Sequence, residues 1–75
     1  MSNPYVGTLV RLEDCEAMRF MTGGTIAPIS GEFLVEDFGA YLMAEDCLVY
    51  YLSDPADEWG EEYVVNADEF ERAVQ

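Results

Sequence analysis

A chain of 75 residues with sixteen carboxylates, three arginines, no lysine and no histidine carries a net charge of −13. That balance argues against direct binding to nucleic acid or anionic lipid, and the missing histidine removes every triad or imidazole acid–base pair. The length suits a single acidic domain over residues 1–75. With 51% hydrophobic residues, five Tyr, four Phe and Trp59, the chain is too apolar for a disordered acidic tail.

Tyr5 to Leu12 alternates, with Val6, Thr8, Val10 and Leu12 on one side, which predicts an opening strand ended by Glu13-Asp14. Cys15 to Met21 reads either as a helix capped by Asp14 and stopped by Gly23-Gly24, or as a strand leading into a Thr22–Thr25 turn; the strand is preferred. Thr25 to Ser30, with Pro28, is expected to be a loop, and Glu32 to Glu36 a short strand after Gly31. Asp37 to Met43 fits a strand or one helical turn, and Ala44-Glu45-Asp46 a turn. Cys47 to Leu52 is apolar on both faces and is expected at the centre of a sheet. After a loop over Ser53 to Gly60 comes a last strand, Glu61 to Val65. Asn66 then caps a short helix, Ala67 to Val74, with Glu69 at its third position and Phe70, Ala73 and Val74 as the apolar stripe. The sum is an α+β fold: a small antiparallel sheet of four to five strands with a C-terminal helix on one face.

Met1 to Thr8 has no basic start and no apolar stretch, so a secretory signal is not expected. No apolar run approaches the ~18 residues of a membrane span. Cys15 and Cys47 are too few for a disulfide framework, although a single bridge between them stays open. The expected compartment is the cytoplasm, with both thiols reduced. Each cysteine follows two acids, which raises rather than lowers a thiol pKa. Structural zinc lacks its ligands. An EF-hand loop started at Asp54 fails, because Ala56 and Trp59 stand at its third and sixth positions; an irregular weak cation site there stays open. Thr22-Gly23-Gly24-Thr25 lacks the lysine of a phosphate loop. A carboxylate pair could in principle cut glycosides, but so short a chain leaves little room for the cleft. No enzyme activity and no cofactor are expected.

The most informative feature is acid pairing. Twelve of the sixteen carboxylates form six doublets: Glu13-Asp14, Glu36-Asp37, Glu45-Asp46, Asp57-Glu58, Glu61-Glu62 and Asp68-Glu69. Nearly all fall at expected strand ends, turns or the helix start, where both side chains reach solvent; a strand interior would drive one of them inward at high desolvation cost. The bland reading is a solvated rim that keeps a small protein soluble, and the functional one is a set of paired anions offered to Arg and Lys. A chain of this mass exposes on the order of 4,600 Å², about one carboxylate per 290 Å². Duplex DNA carries roughly one charge per 100 Å². The acids therefore equal the density of DNA only if most of them gather on about a third of the surface. In Asp54 to Glu62, five acids surround Trp59, which either joins a binding surface or folds back over a small core.

Short length, a pI near 4.1, absent lysine, acid doublets and aromatic content together resemble small phage-encoded inhibitors that mimic DNA, among them anti-CRISPR proteins and inhibitors of DNA-repair enzymes. The resemblance lies in overall composition and in no specific motif. It implies a chain in the host cytoplasm that binds a basic DNA- or RNA-binding protein or complex and excludes its nucleic acid; apart from the resemblance, a monomer or a homodimer covering an apolar sheet edge or face is expected. The partner-binding residues are then expected among Glu36, Asp37, Glu45, Asp46, Asp54, Asp57, Glu58, Trp59, Glu61, Glu62, Asp68 and Glu69. Two alternatives stand beside it. One is an acidic adaptor or structural subunit that binds through Tyr50, Tyr51, Trp59 and Tyr63; the other is a protein of salt-loving cells, acidic for its environment alone.

Overall fold

A computed structural model describes residues 3–20, 23–41 and 44–75, the side chains of Ala44 and Glu45 excepted. Four strands, β1 (Leu9–Arg19), β2 (Thr25–Tyr41), β3 (Ala44–Ser53) and β4 (Glu62–Asn66), precede one helix, α1 (Ala67–Ala73). All pairings are antiparallel, and β4 returns to β1 so that the sheet closes into a barrel. This is the α+β sheet-and-helix arrangement expected, with four strands.

β2 makes the closure possible. Its first part, from Thr25 to Leu34, pairs with β1, and its second, from Leu34 to Tyr41, pairs with β3. One 17-residue strand thus turns the corner of the barrel. The bend falls where the chain is permissive: Gly31, with φ of 120°, lies opposite Leu12, and β-bulges interrupt the ladder between Leu12 and Cys15 and between Val35 and Asp37.

The core alternates inward as strand geometry requires. Val10, Leu12, Cys15 and Ala17 of β1 meet Ile29, Phe33 and Val35 of β2, Tyr50 and Leu52 of β3, and Tyr63 and Val65 of β4. The helix closes one end. Phe70 is fully buried and stacks on Tyr50 at 4.1 Å, and Tyr5 packs edge-on against both rings. Asn66 starts α1 by accepting the Asp68 N–H, and the chain after the helix pairs back to β1 through Leu12–Val74 and a hydrogen bond from Gln75 N–H to the Arg11 carbonyl. The buried Tyr50 hydroxyl is satisfied by Asn3, whose Nδ2 donates to it at 2.9 Å.

Several expectations are corrected. The opening strand begins at Leu9, because Gly7 in the left-handed region and the Thr8 hydroxyl bonded to the Tyr5 carbonyl turn the chain over residues 5–8. Glu13-Asp14 does not end β1, which passes through the doublet at a bulge. Thr25 to Ser30 is strand, not loop. Among the described residues, the 25–33 part of β2 pairs with β1, and a ladder on one side accommodates Pro28, which has no N–H. The expected turn at Ala44-Glu45-Asp46 is part of β3. Cys47 to Leu52 is central, between β2 and β4, and Asn66 caps the helix as expected. Met21 and Thr22 of the expected strand and turn, and Leu42 and Met43, lie outside the described residues.

Candidate functional site

A regular strand sends alternate side chains to opposite faces, so two consecutive acids cannot both face water. This chain resolves the conflict with bulges. Glu13-Asp14 occupies the irregularity between Leu12 and Cys15; Asp14 adopts φ of 53°, its N–H donates to Ser30 Oγ, and both carboxylates are exposed. Glu36-Asp37 occupies the second bulge, again with both side chains exposed. Ser53 Oγ donates to Glu36 Oε1 at 3.2 Å, and Asp37 Oδ1 accepts the Phe38 N–H. These two doublets sit inside strands rather than at strand ends, without burial of a charge. Among the described residues no charged side chain is buried.

The remaining acids divide. Asp54 and Asp57 order the loop between β3 and β4: Asp54 Oδ1 accepts the Ala56 N–H, and the Asp57 carboxylate accepts those of Trp59 and Glu61. They are committed to backbone, while Glu58 projects into solvent. Trp59 is 87% exposed and does not fold back over the core. Burial raises the Tyr63 hydroxyl pKa; Arg19 pulls it down, and Glu61, Asp54 and Asp57 push it up again. Asp54, Asp57 and Glu61 lie in the loop between β3 and β4, at the end of the barrel that also holds Glu36 across Ser53 and Glu62 paired with Ser53. At the other end of β4, about 13 Å away at the usual rise per residue, Asp46 and Asp68 share a depression with Cys47 and Asn66. Asp68 and Glu69 also lie in the first turn of α1, where the helix dipole favours them. Glu69 pairs with Arg72 at 3.0 Å in an exposed contact of little energetic weight. The Glu45 side chain lies outside the described residues.

The ten candidate acids whose side chains are described thus fall into two groups at opposite ends of β4, with Glu13-Asp14 on the β1–β2 seam. Over an accessible surface of 5053 Å² the sixteen acids average about one per 320 Å².

A groove of about 600 Å³ lies on the outer face beside the first group. Its apolar walls are Phe20, Tyr41 and Tyr51, and Glu36, Asp37 and Glu62 also line it. The register explains the grouping: Asp37 pairs with Tyr51, Tyr51 with Val64, and the Phe20 N–H donates to the Glu62 carbonyl at 2.9 Å. Gly39 leaves the space open, since a Cβ there would meet nothing within 4 Å. Phe20, Gly39 and Tyr41 were not among the sequence candidates. The available signals were a Gly inside an apolar strand and Phe20 on the same alternation as Met18.

Cys15 and Cys47 are both free, and Cys15 is wholly buried. Burial first, then Glu69 and Glu16, push its thiol pKa up from 9.0 to about 11. Two pH units mean roughly a hundredfold less thiolate. A thiol reagent at pH 8 is therefore expected to modify Cys47 in the native protein and Cys15 only after unfolding. Equal labelling of both in the native protein contradicts the burial. The stability gained by keeping Cys15 neutral is complete below pH 9 and is lost as the pH rises to about 11.

Comparison with known protein families, curated proteins and solved structures finds no significant match.

Proposed function

We propose that this chain works by binding rather than catalysis, and that it occupies a basic, nucleic-acid-binding surface of a protein partner and blocks access of DNA or RNA to it. The observation that carries this reading is the use of two β-bulges to turn Glu13-Asp14 and Glu36-Asp37 outward. Sixteen carboxylates stand against three arginines, an excess of thirteen negative charges. Phage-encoded DNA mimics of the anti-CRISPR type are the class this composition resembles, and the cytoplasm is the compartment such a role requires. No helix among the described residues is long and apolar enough to cross a membrane. An affinity-tagged chain incubated with host lysate tests the proposal. The expected partner binds nucleic acid, leaves the column at moderate NaCl and is displaced by added duplex DNA. Partners that survive high salt and ignore DNA refute it.

One observation favours the adaptor reading: the nearly full exposure of Trp59, a residue suited to an interface anchor. On that reading Trp59→Ala abolishes binding, and the acids set the association rate.

Self-repulsion at −13 opposes compaction. Raising NaCl from about 10 mM to 300 mM shortens the Debye length from about 30 Å to below 8 Å and is expected to raise Tm. A Tm that falls over this range contradicts the charge argument. A chain unfolded in dilute buffer favours adaptation to a salty cell.

A further inference from the structure

We infer that the outer-face groove is a receptor for one arginine side chain of a basic protein partner. This rests on the proposed function and names the contact that anchors it.

The groove joins two features that are separate in the sequence. Phe20 and Tyr51 supply aromatic surface, and Glu36, Asp37 and Glu62 supply negative charge around it. A guanidinium group is flat, weakly hydrated and permanently charged. It stacks on aromatic faces and donates up to five hydrogen bonds in a fixed fork. An ammonium group is a strongly hydrated point charge and gains less from an apolar wall. An anionic ligand is excluded by the three carboxylates, and a neutral apolar ligand leaves them desolvated without partners. Charge complementarity thus selects a cation, and the aromatic walls select arginine among cations.

The geometry leaves room for it. Gly39 has no side chain and no neighbour within 4 Å of the position a Cβ would take, so the floor is vacant. The Glu36 carboxylate is held in place by Ser53 Oγ, and its acceptor capacity exceeds that one bond. The backbone bond from Phe20 to Glu62 joins an aromatic wall to an acidic one.

Gly39→Leu tests this, because it fills the floor without changing the charge. Gly39 lies in a strand outside the left-handed region, so leucine is accommodated there. The probe is a hexa-arginine peptide titrated into the 15N-labelled chain at low salt, with hexalysine and hexacitrulline as comparisons. The expected result is amide shifts centred on Phe20, Gly39 and Tyr51, tighter binding of hexa-arginine than of hexalysine, and no binding of hexacitrulline. Gly39→Leu is expected to weaken hexa-arginine binding at least about tenfold at unchanged Tm. Phe20→Ala, at a side chain 56% exposed, is expected to act in the same direction. If hexa-arginine binds with shifts spread over the acidic surface, and Gly39→Leu changes nothing, the groove assignment is overturned while the basic-partner reading stands. If neither cationic peptide binds, both fall.

Discussion

Reversing three solvent-facing acids at the loop end of the barrel, in the combined variant Glu36→Lys, Glu58→Lys and Glu62→Lys, is expected to slow association with the proposed basic partner at least about a hundredfold at low salt. The choice follows from the geometry. Asp54 and Asp57 carry the loop's backbone hydrogen bonds, so reversing them would unravel the loop and confound charge with structure. Glu58 is exposed, and Glu36 and Glu62 line the groove. The variant lowers the self-repulsion of the fold, so Tm is expected to hold or rise. Trp59→Ala measured in parallel should cost only a few-fold. Association rates from surface plasmon resonance at several NaCl concentrations decide the matter. An unchanged rate with a folded variant removes this end of the barrel from the interface. A large loss from Trp59→Ala alone moves the function to the adaptor class.

The largest expected effect on stability comes from Phe70→Ala. The ring is fully buried, stacks on Tyr50 at 4.1 Å and meets Tyr5 at 5.1 Å. Truncating a buried Phe costs about 3–5 kcal/mol. A domain of this length has a total stability of roughly 4–11 kcal/mol. Phe70→Ala is therefore expected to remove between about a quarter and all of that stability and to free Tyr5 and α1 from the barrel end. Urea unfolding followed by tyrosine fluorescence measures it. A loss under about 1 kcal/mol would mean that the helix contributes little to the core.

Much of this fold can be read from alternation and capping. The Cys47–Leu52 strand, the Asn66 cap and the Phe70 stripe each follow from a local rule: an apolar run, an Asx side chain before a helix, a 3.6-residue period. What could not be read are the places where a long-range partner overrides a local signal. Pro28 marks a loop by itself but sits in a strand, because there, among the described residues, β2 is laddered to β1 alone, a fact about topology. Ala44-Glu45-Asp46 has turn composition but belongs to β3, where Ala44 pairs with Tyr41. At the candidate surface, the outward display of acids was legible from the doublets, but its mechanism was not. The bulges at Leu12/Cys15 and Val35/Asp37 depend on cross-strand register. The groove was missed because Phe20 follows β1 while Tyr41 lies in β2 and Tyr51 in β3, and only the pairing brings them together.

The bulges also bear on how such a surface can change over time. In an ordinary strand each outward residue is locked to an inward neighbour, so inserting or shifting a charge slides the core out of register. A bulged doublet is exempt: Glu13-Asp14 and Glu36-Asp37 stand where the ladder already skips. Their identities can drift while Leu12, Cys15 and Val35 stay fixed in the core. The display is thus decoupled from the scaffold that carries it, so the charge pattern can be changed one residue at a time without remaking the fold.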